Sequence, residues 1–492
     1  MSQISREKGA TRRYFSRVKL SRPVLVGGVS ALGLIITELS QWVLNRRSLH
    51  NGIYFQPTSS AELMQTLDLS VLASRPIHSL FYLHYQPPGF DLLRLLLAAP
   101  EFLSGLSISN RQVDIRLYVL HAVFYGMINT IIFYWISIVA KSQAVALITT
   151  IVWGLYPGNL AMATYLDSMY TSTFLLAIAT HTYFQYLKQS RLKSLMFSGL
   201  SLLVLSMTRT SLQPLVLFLV VFATIPLVRS RHGAERRPSL RVGYLMFAVC
   251  VLGLPIKQWF LFGTFSSTTT SGHHLLGMIR HNPSLDEITT VEIPRHVIQN
   301  STVFENKYNT AEEVVLNYQY TRVFVRTCRP DPGGCLREAL ISARRNLIKG
   351  AGATQNYQPN ALSDELPWAD FSASLFSGTS YVVLVAAGLL ALAVRARNQI
   401  CRHYGRELQQ MLPVLVLYGL IALTLLFGSL RFTEVEAMGS PFGWYDGFTW
   451  TESNRLKFLF EFVAIPIGVS GICVGTLLVA KATKIQIQNR LR

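Results

Sequence analysis

Asp68 stands in the short amphipathic stretch Leu63-Met64-Gln65-Thr66-Leu67-Asp68-Leu69, and is the carboxylate best placed to accept a proton. Glu38, Glu62, Asp91, Glu101 and Asp167 are further acidic groups expected on the same side of a membrane. Moving a group from a lipid phosphate to a hydroxyl requires one carboxylate within hydrogen-bond range of the hydroxyl proton. Glu38, near the outer end of the first apolar segment, is disfavoured there as an unpaired charge unless it faces a site. Glu62 offers the same chemistry from the loop that follows. For each carboxylate taken alone, capping or solvation is the competing use, and Asp167, opening a segment in Tyr165-Leu166-Asp167-Ser168-Met169, suits a helix cap.

Four cations are expected at the same face: Arg209, Lys257 in Pro255-Ile256-Lys257-Gln258-Trp259, Arg431, and Arg455 in Glu452-Ser453-Asn454-Arg455. Guanidinium forks grip phosphate oxygens in pairs and an ammonium adds a point charge, so together they suit a lipid-anchored phosphate or pyrophosphate. Snorkelling toward lipid headgroups is the alternative for any one of them. A divalent metal bridging Asp167 and such a phosphate stays open, although no ligand cluster calls for one and no zinc spacing or Gly-rich phosphate loop is present.

These groups gather around Pro76 to Asp91, where Pro87-Pro88 fixes two φ angles, removes two donors and aims the next element. His84, Gln86 and Asp91 are expected to line the site, with His78 either steering an acceptor or serving as a structural histidine. The next element, Phe90 to Leu106, is apolar but carries Asp91, Arg94 and Glu101, a mixture that suits a helix at a membrane surface.

The elements that position this chemistry are long apolar segments. Half of the 492 residues are apolar, and several windows of about 20 nearly uncharged residues predict an all-α polytopic membrane protein with about ten transmembrane helices. A basic tail (1–22) leads into an N-terminal transmembrane module (23–261), whose first outer loop (45–114) carries interfacial helices. A larger outer loop of mixed structure (262–378) and a C-terminal transmembrane module with its tail (379–492) follow. The expected spans are 23–44, 117–140, 144–162, 168–187, 195–208, 212–228, 242–261, 381–394, 411–430 and 456–480. Threaded alternately, they leave the short Lys/Arg clusters on the N-terminal side, so both termini are expected in the cytoplasm of an inner (plasma) membrane protein. The net charge of +19 therefore reports topology and not nucleic-acid binding. In the larger loop, Cys328-Arg-Pro-Asp-Pro-Gly-Gly-Cys335 has turn chemistry that can bring the two thiols together, and a disulfide in an oxidising compartment fits.

The His84-Tyr85-Gln86-Pro87-Pro88-Gly89-Phe90-Asp91 run, after a first span, resembles the His-x-Pro-Pro element of multispan GT-C glycosyltransferases. Leu166-Asp167-Ser168-Met169 before an apolar segment is similar to the Asp-Met start of a later helix in that family. Glu452-Ser453-Asn454-Arg455-Leu456-Lys457-Phe458 resembles the pattern before the last span of related bacterial membrane proteins. The resemblance implies an inverting enzyme that takes a sugar from a polyprenyl-phosphate donor and passes it to an extracytoplasmic glycan, lipid or protein, using a first-loop acid as base. One feature departs from the family: Asn45-Arg46-Arg47 stands where an early Asp-Glu pair is expected. Asp68, Glu62 or Glu38 then substitutes, or the architecture persists without the activity, as in a non-catalytic envelope-assembly subunit. A lipid-linked sugar flippase is the other alternative; few charges at mid-span positions weigh against it.

Overall fold

The computed structural model describes residues 22–45, 60–61, 66–208, 252–348 and parts of 465–483, apart from isolated positions within them. Ten helices cover the first part: α1 (Arg22–Asn45), α2 (Leu69–Ser74), α3 (Pro76–Tyr82), α4 (Gly89–Leu97), α5 (Ala99–Leu103), α6 (Asn110–Ala140), α7 (Gln143–Gly154), α8 (Pro157–Thr164), α9 (Ser168–Gln189) and α10 (Leu192–Thr208). Helical residues 252–262 then lead to α11 (Ser271–Met278), α12 (Leu285–Thr289), α13 (Arg295–Ser301), α14 (Ala311–Cys328) and α15 (Pro332–Ile348). The described part of the larger loop, expected as mixed structure, is a set of helices joined by irregular segments, with an isolated bridge between Asn306 and Asn309.

The expected count of about ten membrane spans does not hold: among the described residues one helix, Asn110–Ile138, is long and apolar enough to cross a membrane. A hydrocarbon core needs about 20 apolar residues in one helix. Helices α7, with 12 residues, and α10, with 17, fall short of that length, whereas α1 has 24 residues, of which Pro23–Ile35 is the described apolar stretch. The segment expected at 144–162 is two helices, because α7 ends at Gly154 and Pro157, which has no N–H to donate, opens α8. Helix α9 has the length, with 22 residues, but carries Thr171, Ser172, Thr173, Thr180, His181, Thr182 and Gln185. The spans expected at 212–228, 381–394 and 411–430 lie outside the described residues, as do about half of 242–261 and about half of 456–480.

Small residues set a close contact between α1 and α6. A Cβ on Gly126 of α6 would lie 2.5 Å from the Gly27 carbonyl oxygen of α1, and one on Gly27 would meet the Gly126 carbonyl at the same distance. Backbones can approach that closely only where no side chain intervenes. Around this contact, Leu34, Ile128, Ile132, Trp153 and Tyr170 form the main apolar core. Helices α9 and α10 pack as a pair, the Ser198 hydroxyl donating to the Ala179 carbonyl (2.7 Å) and Ser172 meeting Thr208 at 3.0 Å.

Two further fixings matter for the site. The Pro87-Pro88 turn delivers Gly89 onto the end of α10, where a Cβ would lie 2.5 Å from the Met207 carbonyl oxygen. In the larger loop, Cys328 and Cys335 are disulfide-bonded with their Cα atoms 5.7 Å apart, joining the end of α14 to the start of α15.

Candidate functional site

The element expected over 90–106 is two helices, α4 and α5, and its charges are paired inward. Asp91 lies in the first turn of α4, where a negative charge suits the helix dipole, and Arg94 follows one turn later. Their side chains meet at 2.8 Å, both fully buried. The other partners come from the chain preceding α2 and from the Pro-Pro turn. Arg94 donates from Nη1 to the Leu67 carbonyl (2.7 Å) and from Nε to Ser60 Oγ (3.1 Å). Asp91 accepts from the Leu67 amide (3.2 Å) and from Gln86 Nε2 (2.9 Å). Burial pushes the Asp91 carboxyl above the ordinary carboxylate range, against the pull of Arg94, the Leu67 amide and Gln86. Behind the pair, Ser60 donates from its amide to Asp114 Oδ1 (3.1 Å), and Arg116 pairs with Glu101 while donating to the Leu97 carbonyl (2.6 Å). The first loop is thereby tied to the opening turns of α6.

This knot fixes the backbone of Leu67, and Asp68 is the next residue. Asp68 precedes α2 in extended conformation, and its side chain is 45 % exposed. The larger loop holds it: Asn306 accepts from the Asp68 amide (3.1 Å) and donates to Oδ2 (3.0 Å), while Lys307 Nζ lies 3.2 Å from Oδ1. Partial burial works to raise this carboxyl, but the Asn306 and Lys307 hydrogen bonds and the charges of Lys307 and Arg94 outweigh it and hold the group below its ordinary value. Lys307 adopts φ +50°, a left-handed conformation uncommon for a residue with a Cβ. Asp68 is therefore an ionised, water-accessible carboxylate with a cation on one oxygen.

The same strand of the larger loop reaches His84. Asn309 Oδ1 accepts from the amides of His84 (2.8 Å) and Tyr85 (3.1 Å), and its Nδ2 donates to the Phe304 carbonyl (3.0 Å). His84 Nδ1 meets Thr269 Oγ1 at 3.1 Å, the ring packs edge-on against Phe262, and buried Nε2 has no hydrogen-bond partner. Burial, with the Lys257 charge second, pushes the His84 imidazole down to about 3, so the ring is neutral. Lys257 donates from Nζ to the Leu83 carbonyl (2.9 Å) and lies 5.8 Å from the Phe81 ring centroid.

The structure thus brings Gln86 and Asp91 into direct contact, sets Asp68 one residue beyond their network, and places Lys257 beside His84. Among the described residues Asp68 is paired with Lys307, which the sequence reading did not select. Asp167 is buried at the start of α9 and accepts from the Ser168 amide and, at 2.9 Å, from its hydroxyl. Its neighbour Leu166 packs with Phe90 of α4. Arg209, Arg431, Arg455 and Glu62 lie outside the described residues, and Glu38 falls within α1, its side chain undescribed. Among the described residues no group of three His, Cys, Asp or Glu side chains could hold a metal ion. Arg94, Asn306, Lys307 and Asn309 are the residues sequence reasoning missed. The i, i+3 spacing from Asp91 was a usable signal for Arg94, whereas nothing local marks 306–309. Comparison with protein-family models and with curated proteins finds no match for the chain.

Proposed function

We propose that the protein is an integral-membrane glycosyltransferase, passing a sugar from a polyprenyl-phosphate donor to an extracytoplasmic glycan, lipid or protein acceptor. In this reading it is a multi-pass protein of the inner (plasma) membrane with both termini in the cytoplasm. Asp68 carries the proposal: it is ionised, reachable from water, and fixed where the two large loops meet. Asp68 takes the proton of an acceptor hydroxyl, whose oxygen attacks the anomeric carbon as the bond to the donor phosphate breaks. Lys307 exchanges the carboxylate for that phosphate or swings aside. Lys257, with Arg209, Arg431 and Arg455, balances the charge left on the phosphate. Asp91, Gln86 and Arg94 are positioning residues, while His84 and Asp167 border the acceptor side. Glu38 and Glu62 are the alternative bases.

The test is mass analysis of lipids and envelope glycans from cells carrying the wild-type chain or Asp68→Asn. Loss of product in the variant, with unchanged expression and membrane insertion, is expected; full product removes Asp68 from the mechanism. A non-catalytic envelope-assembly subunit is the second reading, favoured by the engagement of both Asp68 oxygens by Asn306 and Lys307. It predicts a stable co-purifying partner and no effect of Asp68→Asn on the glycan profile.

A further inference from the structure

The first loop is polar inside and apolar outside. Asp91 and Arg94 have no exposed surface, yet on the same helix Leu92 is exposed and Leu96 is 62 % exposed. The outward surface continues through Leu103 (81 %) and Leu106, and α3 adds Ile77 (84 %) and Phe81. In water this arrangement would be unfavourable twice over, burying charges while leaving large side chains wet. Exposed apolar surface of this kind needs an occupant.

We infer that the occupant is the acyl-chain layer of the bilayer, so that α3, α4 and α5 form a shelf immersed in one leaflet beside α6. Continuity selects lipid over a protein partner. Helix α6, long and apolar enough to span, exposes Ile115, Val119, Val123 and Met127 at four-residue intervals, a stripe along one face. Arg116, the residue after Ile115, bonds the Leu97 carbonyl and Glu101, which fixes α4 and α5 against the first turns of that helix. The apolar surface of the shelf therefore adjoins the membrane-facing stripe. Arg75, two residues before Ile77, and Arg111, in the first turn of α6, are exposed and suit headgroup phosphates. Interfacial helices of this kind sit with their apolar face roughly 5–10 Å below the headgroups. The shelf places the Asp91–Arg94 knot, and Asp68 beyond it, at the level where a lipid-borne phosphate ends and water begins. The inference rests on α6 crossing a bilayer and is independent of the transfer reaction.

Spin labels on the full chain in phospholipid nanodiscs test it, with Cys250, Cys401 and Cys473 replaced by Ser and the Cys328–Cys335 bond kept. Nitroxides are placed one at a time at Ile77→Cys, Leu96→Cys and Leu103→Cys, with Val123→Cys on the α6 stripe and Glu312→Cys on the exposed larger loop as references. Power saturation compares collision with oxygen, which concentrates in lipid, and with nickel-EDDA, which stays in water. The expected result is an oxygen-to-nickel ratio above one at 77, 96 and 103, as at 123, and below one at 312. Nickel access at 96 and 103 alongside oxygen access at 123 overturns the shelf alone, and so does exclusion of both reagents there, which would report a protein partner. Nickel access at 123 overturns the membrane placement and the shelf with it, whatever the glycan analysis shows.

Discussion

At the scale of single residues, ionisation separates His84 from Asp68. A His84 imidazole free in the unfolded chain takes a proton below about 6.5, whereas the folded ring resists until about 3. The unfolded state thus binds the extra proton over that interval, and the folded chain loses stability as pH falls from about 6.5 toward 3. His84→Gln should flatten this part of the difference between acid and neutral unfolding temperatures. Asp68 has the same sign in a lower window. Its depressed value stabilises the fold above about 4, where the free carboxylate is also ionised, and that contribution fades as pH drops through the folded value. With Asp68 nearly half exposed, solvent screens most of the pairing energy, so Lys307→Met should cost only about 1 kcal/mol or less in unfolding experiments. The effect of that variant on transfer, measured by product mass analysis, should be larger than its effect on stability if Lys307 contacts the donor phosphate.

At the scale of elements, the buried ion pair organises the first loop. Arg94→Met leaves the Asp91 carboxylate buried without its cation, and a loss of about 3–5 kcal/mol is expected from thermal unfolding in detergent. Pairing Arg94→Met with Asp91→Leu should recover much of that loss, which a double-mutant cycle would read directly. In α14 and α15, Cys328→Ser with Cys335→Ser removes a short-loop crosslink and should lower stability by about 2–3 kcal/mol. Elements differ in how far their sequence foretold them. The turn residues between Cys328 and Cys335 are local, and the bond is there. The run of nearly uncharged residues over 117–140 identified most of α6, because an apolar segment that long has few competing conformations. The segment expected at 144–162 hid a break at Tyr156-Pro157, since hydropathy averages over one proline. Helix α9, expected as a span over 168–187, carries hydroxyls that hydropathy averages away; Thr173, Thr180 and Thr182 bond carbonyls four residues back, as Thr173 does on Met169 at 2.9 Å. The Asp91, Arg94 and Glu101 charges were visible, but the direction they face depends on Ser60, Leu67 and Arg116, which no local pattern connects to them.

At the scale of the whole molecule, two loops far apart in sequence make one structure. Asn306, Lys307 and Asn309 contribute little apolar area, yet they complete the backbone hydrogen bonding of His84 and Tyr85 and the setting of Asp68. Asn309→Ala should leave the buried His84 amide and the half-buried Tyr85 amide without their acceptor and cost about 1–3 kcal/mol. Hydrogen exchange would locate the change, with faster exchange confined to residues 82–86 and 304–310 if the two loops form a cooperative unit.

The Asn309 bond to His84 also imposes an order on biosynthesis, since its two ends are 225 residues apart. A ribosome adding about 5–20 residues per second delivers the acceptor roughly 10–45 s after the donor. Throughout that interval the nascent first loop must keep its amides in water or in the care of a chaperone, so a premature stop before codon 306 strands it half-built.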